Sequence, residues 1–242
     1  MTTWDWHYAW TILPDILRAL VTTIKITLAG TGIAMVLGLI WALMRRSTIL
    51  PVRWLAGTIV EVIRDTPLLV QVYFFFFVFP SVGIKLSALL TGILAIGINY
   101  SAYTAEVYRA GIEGVPRTQW EAARALNFTT TRTWTSVVLP QAVPAVIPAL
   151  GNYLIAMFKD TPILSAIGII EMLNRAKILG SDNFRYTEPF TIVGVLFFLL
   201  SYPSSVLVRQ LEHRFGQHAR HTQEGEGKRG LFRRQPRQMA RL

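Results

Sequence analysis

Arg117-Thr118-Gln119-Trp120-Glu121-Ala122-Ala123-Arg124-Ala125-Leu126-Asn127, followed after a polar interval by Val137-Val138-Leu139-Pro140, lies in the one long polar stretch between two very apolar segments. It reads as a short, small-residue helix on an arginine-rich loop. Thr118-x-x-Glu121 fits a capping box, in which a hydroxyl and a carboxylate satisfy free N–H groups at a helix start. Pro116 suits the entry, and Asn127, tolerant of the left-handed conformation, suits the exit. The helix expected here, Gln119 to Leu126, is about two turns long, too short to be stable alone. It therefore needs a docking surface. Ala122, Ala123 and Ala125 leave its backbone close to whatever it touches, and Trp120 and Leu126 supply apolar contact. A partner outside the membrane and the membrane surface itself both satisfy this local chemistry.

Around the loop the chain is 52% hydrophobic and only 16% charged over 242 residues, with a mean hydropathy of +0.40. Soluble domains carry about 25% charged residues, so the deficit points to lipid-facing surface. A hydrocarbon layer about 30 Å thick takes roughly 20 apolar residues per helix, and several stretches meet that length. The absence of cysteine excludes disulfides, thiolate metal sites and thiol nucleophiles. The net charge of +10 raises nucleic acid as a partner, but the cations sit where a membrane topology puts them, so no nucleic acid is expected.

The pattern predicts an all-α integral membrane protein with five transmembrane helices. Residues 1–21 carry Trp4, Trp6, Tyr8 and Trp10, then Ile12, Leu13, Ile16, Leu17 and Leu20 at helical spacing, and read as an amphipathic segment at the outer membrane surface. The first span is expected from Thr22 to Met44, with Gly30, Gly32 and Gly38 allowing close helix approach. The second, Trp54 to Pro80, contains Glu61, Arg64, Asp65, Pro67 and Gln71 before the Phe74–Phe77 run. An ionised group facing lipid costs roughly 2.5–3.5 kcal/mol, so this polar half must lie at an interface or face a cavity. The third span is expected from Leu86 to Val107. The fourth, Pro140 to Ile170, is broken near Lys159-Asp160-Thr161-Pro162, and Pro140, Pro144 and Pro148 strip donors from one face and predict a bend. The fifth is Phe190 to Val208. The membrane domain thus covers 22–209 with the loop 116–139 inside it, and 210–242 form a basic tail of disordered composition.

Orientation follows from the basic residues in the short connections. Arg45, Arg46, Arg53, Arg109, Arg117, Arg124 and Arg132 share one side with the basic tail, against Arg18, Lys85, Arg175, Lys177 and Arg185 on the other. The N-terminus is therefore expected outside and the C-terminus in the cytoplasm of a bacterial plasma (inner) membrane. The tail's cations are suited to anionic membrane lipid.

Glu121-Ala122-Ala123, three residues, Asn127, nine residues, then Val137-Val138-Leu139-Pro140 resembles the cytoplasmic loop signature of ABC importer permeases. That signature expects glycine at position 127; Asn127 departs from it, but asparagine also visits the left-handed region. Arg64-Asp65-Thr66-Pro67-Leu68-Leu69-Val70-Gln71, Tyr103 through Glu106 to Arg109-Ala110-Gly111, Leu139-Pro140-Gln141-Ala142 and Lys159-Asp160-Thr161-Pro162 resemble the polar amino-acid branch of these permeases (histidine, glutamine and arginine importers). Asn152 through Asp160, and Phe184-Arg185-Tyr186-Thr187-Glu188-Pro189-Phe190, are similar to the ectoine/hydroxyectoine permease of the D type. The resemblance covers about residues 15 to 215. It implies a type I importer permease whose loop helix couples to an ATPase, through Thr118, Trp120, Glu121, Ala122, Ala123, Leu126, Asn127, Leu139 and Pro140. It further implies two copies of that ATPase, which use ATP and Mg²⁺, a second homologous permease chain or a second copy of this one, and an extracellular or periplasmic solute-binding protein.

A solute path needs polar groups facing inward at membrane depth. Asn99, Tyr103 and Glu106 lie roughly on one face of the third span, beside Tyr100; Asn152, Lys159 and Asp160 interrupt the fourth; Arg64 and Gln71 stand in the second. These are the solute-path candidates. A small zwitterion is suited to Lys159 or Arg64 at its carboxylate, and to Glu106 or an aromatic face at its cation. Equally, Glu106 pairing with Arg109, and Lys159 with Asp160 fixing a turn, account for those charges without any solute. Gly225-Glu226-Gly227-Lys228 lacks the phosphate-loop spacing, so the chain is expected to bind no ATP, no cofactor and no metal, and no catalytic constellation is visible. An ATP-independent channel or secondary carrier is the competing reading.

Overall fold

The computed structural model describes residues 4–232, with side chains through residue 211. Its elements there are helical: α1 (Trp6–Arg45), α2 (Leu50–Asp65), α3 (Leu68–Tyr73), α4 (Ala88–Glu113), α5 (Arg117–Ala125), α6 (Thr130–Thr133), α7 (Leu139–Asp160), α8 (Met172–Asn183) and α9 (Thr187–Phe232). Four helices are long and apolar enough to cross a membrane, and five spans result if the bent pair α2–α3 is counted as one.

The α1 helix is capped by Asp5, whose carboxylate accepts from Tyr8 N at 3.1 Å. It has 40 residues and does not break at 21/22, where a separate surface segment was expected to end. At about 1.5 Å per residue it is roughly 60 Å long, twice the hydrocarbon thickness, so its tryptophan-bearing end extends past the apolar layer as part of the same rod. Gly30, Ala34 and Gly38 recur every fourth residue and are buried against α4. There Thr104 donates to the Ala34 carbonyl at 2.7 Å, and Trp41 Nε1 donates to Ser101 Oγ at 3.1 Å. One core joins Ile26, Ala34, Ile96, Tyr100, Met157 and Leu164 from α1, α4, α7 and the turn after α7. A second joins Ile12 and Ile16 to Phe158, Met172, Ala176 and Val193.

Three expectations change. The second span is not continuous: α2 and the helical stretch from Leu68 to Val82 meet at 104°, because Pro67 interrupts the hydrogen-bond ladder. The fourth span's helical path begins at Thr130 rather than Pro140, entering α7 through a five-residue π turn, Trp134–Val138. Between the fourth and fifth spans stands α8, which Glu171 caps by accepting from Leu173 N and Asn174 N. The segment 210–232, expected as a disordered tail, continues α9 in a run that includes the helix formers Gln210, Leu211, Glu212 and Arg214; residues 233–242 lie outside the described residues.

Candidate functional site

The bend between α2 and α3, the middle of α4 and the end of α7 enclose a cavity of about 260 Å³. Arg64, Thr66, Asn99, Tyr100, Tyr103, Tyr153 and Asp160 are the polar and aromatic part of its wall. The volume is below the roughly 300–1,000 Å³ of drug-sized pockets, which limits it to a small solute. The three tyrosines form a triangle with ring centroids 5.8–5.9 Å apart. Tyr100 donates to Asp160 Oδ2 at 2.6 Å, which aims the carboxylate at the cavity edge. Asn99 is buried in the same wall. The Arg64 guanidinium lies over the Tyr103 ring, 5.7 Å from its centroid, and its nearest carboxylate contacts are long, 3.8 Å to Glu106 and 3.9 Å to Glu61. Arg64 Nε is buried without a hydrogen-bond partner. A fixed cation, a fixed carboxylate and aromatic faces therefore meet in one small space, complementary to a zwitterion.

Of the solute-path candidates, Arg64, Asn99, Tyr100, Tyr103 and Asp160 line this cavity; the remaining candidates lie elsewhere. Glu106 is outside the cavity wall, held by Arg45 of α1 and by Arg109, whose Nε and Nη2 approach it at 2.8 and 2.7 Å. Gln71 is buried and turned to the backbone, donating from Nε2 to Ile63 O at 2.8 Å and Thr66 O at 2.9 Å. Asn152 and Lys159 lie on the exposed side of α7, away from the cavity. Tyr153, next to Asn152 in the same stretch of the fourth span, lines the cavity instead: it lies seven residues before Asp160 on one helix face, which leaves Asn152 and Lys159 off that face.

The second locus is α5. Pro116 occupies the N-cap position and no side chain caps the helix, so the capping box does not form. The rigid proline starts the helix at Arg117, which moves Thr118 inside the first turn. Asn127 closes the helix with φ 54, in the left-handed region. Trp120 and Ala123 face the bundle, with Trp120 edge-on to Trp134 at 5.6 Å beside Ile112, Val115, Val138 and Ala142. Trp120 was expected to meet an outside partner but spends its apolar surface inward. Thr118, Glu121, Ala122 and Leu126 point outward, Leu126 being 67% exposed. Asn127, Leu139 and Pro140 are also exposed. Arg46, at the end of α1, stands over Trp134 at 5.6 Å.

Residues 34–217 match the model of the family described as binding-protein-dependent transport system inner membrane component. The chain is 47% identical over 212 residues to the probable amino-acid ABC transporter permease y4tG of Sinorhizobium fredii, covering 86% of this chain and 92% of that one. It is 37% identical over 195 residues to the L-cystine transport system permease TcyB of Bacillus subtilis, covering 78% and 83%. Among solved structures, a chain of an amino acid ABC transporter crystallised with histidines superposes with a TM-score of 0.83 at 37% identity, covering 88% of this chain and 100% of that one. A chain of the methionine transporter MetNI shares the fold, with a TM-score of 0.65 at 19% identity and coverage of 83% and 98%. The family match over most of the chain and the identity to these relatives go with the shared fold: the chain belongs to the family of binding-protein-dependent transport system inner membrane components, among the ABC transporter permeases.

Proposed function

We propose that this chain forms half of the translocation pathway of an ATP-driven importer for a small zwitterionic solute, a polar amino acid or a compatible solute of the ectoine/hydroxyectoine kind. The observation that carries the reading is the cavity in which the Arg64 guanidinium and the Asp160 carboxylate face one space walled by Tyr100, Tyr103 and Tyr153. Arg64 receives the solute carboxylate, and Asp160 with the tyrosine faces receives its cationic end. The names of the amino-acid relatives support this solute class; the ectoine assignment is supported by the sequence similarity around Asn152–Asp160 and Phe184–Phe190 alone. The outward face of α5, at Glu121, Ala122 and Leu126, takes the ATPase, one copy on each of two permease chains, and ATP and Mg²⁺ are used there. The second permease chain is a homologue or another copy of this one, and an external binding protein delivers solute to the side bearing the N-terminus. The C-terminus then lies in the cytoplasm.

The test is uptake into proteoliposomes holding the complete transporter. Asn99→Ala and Tyr103→Ala are expected to lower uptake about tenfold while the complex still assembles, a loss of order 1.4 kcal/mol. Wild-type uptake in both variants removes these residues from the path, and uptake that persists without the ATPase points to an ATP-independent carrier. Competition by excess ectoine against labelled L-arginine and L-glutamine separates the two solute classes.

A further inference from the structure

The bend between α2 and α3 strands two backbone carbonyls. In an unbroken helix Ile63 O accepts from the N–H four residues on, but that residue is Pro67, which has none. The corresponding donor to Thr66 O is Val70 N, yet Val70 N donates instead to Pro67 O at 3.0 Å, and Gln71 N joins it there at 3.2 Å. The Gln71 side chain fills both vacancies. Its amide donates to Ile63 O at 2.8 Å and to Thr66 O at 2.9 Å, from a site only 7% exposed. One primary amide carries two hydrogens, and each is used on a carbonyl orphaned by the same proline. Arg64 stands between the two clamped carbonyls in sequence. Its guanidinium enters the cavity without a close acceptor, held only by contacts of 3.8 and 3.9 Å to carboxylates and by the Tyr103 ring. The direction in which Arg64 presents itself is thus set by the backbone that Gln71 ties.

We propose that Gln71 is a positioning residue for solute recognition: by locking the α2–α3 bend it sets where the Arg64 guanidinium meets the solute. The inference rests on the reading of the cavity as the solute site. Gln71→Met keeps length and volume but has no donor, so both carbonyls are left buried and unpaired and the bend becomes compliant. Gln71→Glu, when ionised, presents oxygen to oxygen and is expected to be worse.

The experiment uses the complete transporter in nanodiscs, without the external binding protein, and measures retention of radiolabelled L-arginine, L-glutamine and ectoine. For the probe that the wild-type complex retains, Gln71→Met is expected to weaken binding about tenfold and Arg64→Ala by at least as much. The double variant should bind no worse than Arg64→Ala alone, because a residue acting through Arg64 has nothing left to act through. Losses that multiply in the double variant, or wild-type affinity in Gln71→Met, overturn the assignment. Wild-type affinity in Arg64→Ala removes the cavity reading instead, so the two failures are distinct. If Gln71→Met does not assemble, the same cycle is run with Gln71→Asn, whose shorter amide keeps both hydrogens but draws them back from the carbonyls; independent losses again overturn the proposal.

Discussion

Gly38 marks the closest contact between α1 and α4. A Cβ there would collide with Thr104 Oγ1 and lie 2.9 Å from the Ser101 carbonyl oxygen. Gly30 is also packed, with Ile96 and Met157 atoms 3.2 Å from its missing Cβ, whereas a Cβ at Gly32 meets nothing within 4 Å. The three glycines were grouped in the sequence as a single close-approach device, and the structure divides them. Residues 30, 34 and 38 share a helix face, and residue 32 is on the opposite one. Alanine gains the same helix propensity at either position, so the difference between two substitutions isolates the contact. Gly38→Ala is expected to destabilise the purified protein by about 1–3 kcal/mol, read as a fall in thermal midpoint in detergent. Gly32→Ala should stay within about 0.5 kcal/mol of wild type or gain slightly. Equal effects at the two sites would remove the α1–α4 contact as the cause.

At the scale of elements, breaks in the helices decide where chemistry gathers. Pro67 splits the second span at a bend of 104°, and Arg64 on the near side of that bend lines the cavity with residues of α4 and α7. The proline was visible in the sequence, but the angle it produces was not, because the bend depends on the Gln71 amide and the helices it packs against. The start of α8 offers a test of another break. Glu171 is fully buried and caps that helix through Leu173 N and Asn174 N at 2.8 and 2.6 Å. Burial pushes its carboxyl above the ordinary carboxylate range, against the opposing pull of those two N–H groups. A carboxyl whose folded pKa is raised favours folding fully below its unfolded value, and that contribution is lost as pH rises through the folded value. Wild type and Glu171→Gln are therefore expected to be nearly equally stable near pH 4, with wild type losing ground as pH climbs toward 8. A gap that is constant with pH, or that reverses, would show that folding does not raise the Glu171 pKa. The capping box on α5 did not form because Pro116 fixed the helix start two residues too early for Thr118 to serve it.

At the scale of the whole molecule, the α5 helix and the cavity are connected through packed side chains. Trp120 of α5 meets Trp134, Trp134 lies under Arg46 at the end of α1, and the π turn beginning at Trp134 leads into α7, whose far end carries Tyr153 and Asp160. If α5 moves in transport, this chain of contacts is the route by which the movement is expected to reach the cavity. Trp120→Ala is expected to leave the complete transporter assembled and hydrolysing ATP while uptake per ATP falls roughly 5-fold or more, the size of a typical coupling energy. Unchanged stoichiometry of transport would show that this tryptophan pair carries no load. Of the four unbroken spans the last is the least enclosed, and its Val195, Phe198, Leu199 and Tyr202 are exposed.

By itself the sequence determined that this chain is a helical membrane protein with an exposed, alanine-rich loop helix, because apolar length, charge placement and the proline and asparagine at the loop helix ends are local properties. Asn99, Tyr100 and Tyr103 could also be read locally, since they follow one another around a single helix. Only the tertiary structure decided which charges meet. Arg64 and Asp160 are far apart in the chain, and the 104° bend and the α4–α7 packing bring them to one cavity. The same packing diverts Glu106 to Arg45 and Arg109 and turns Gln71 from the solute path to the backbone. Spacing along a helix reports a face, but it carries no information about the angle at which the next helix crosses it.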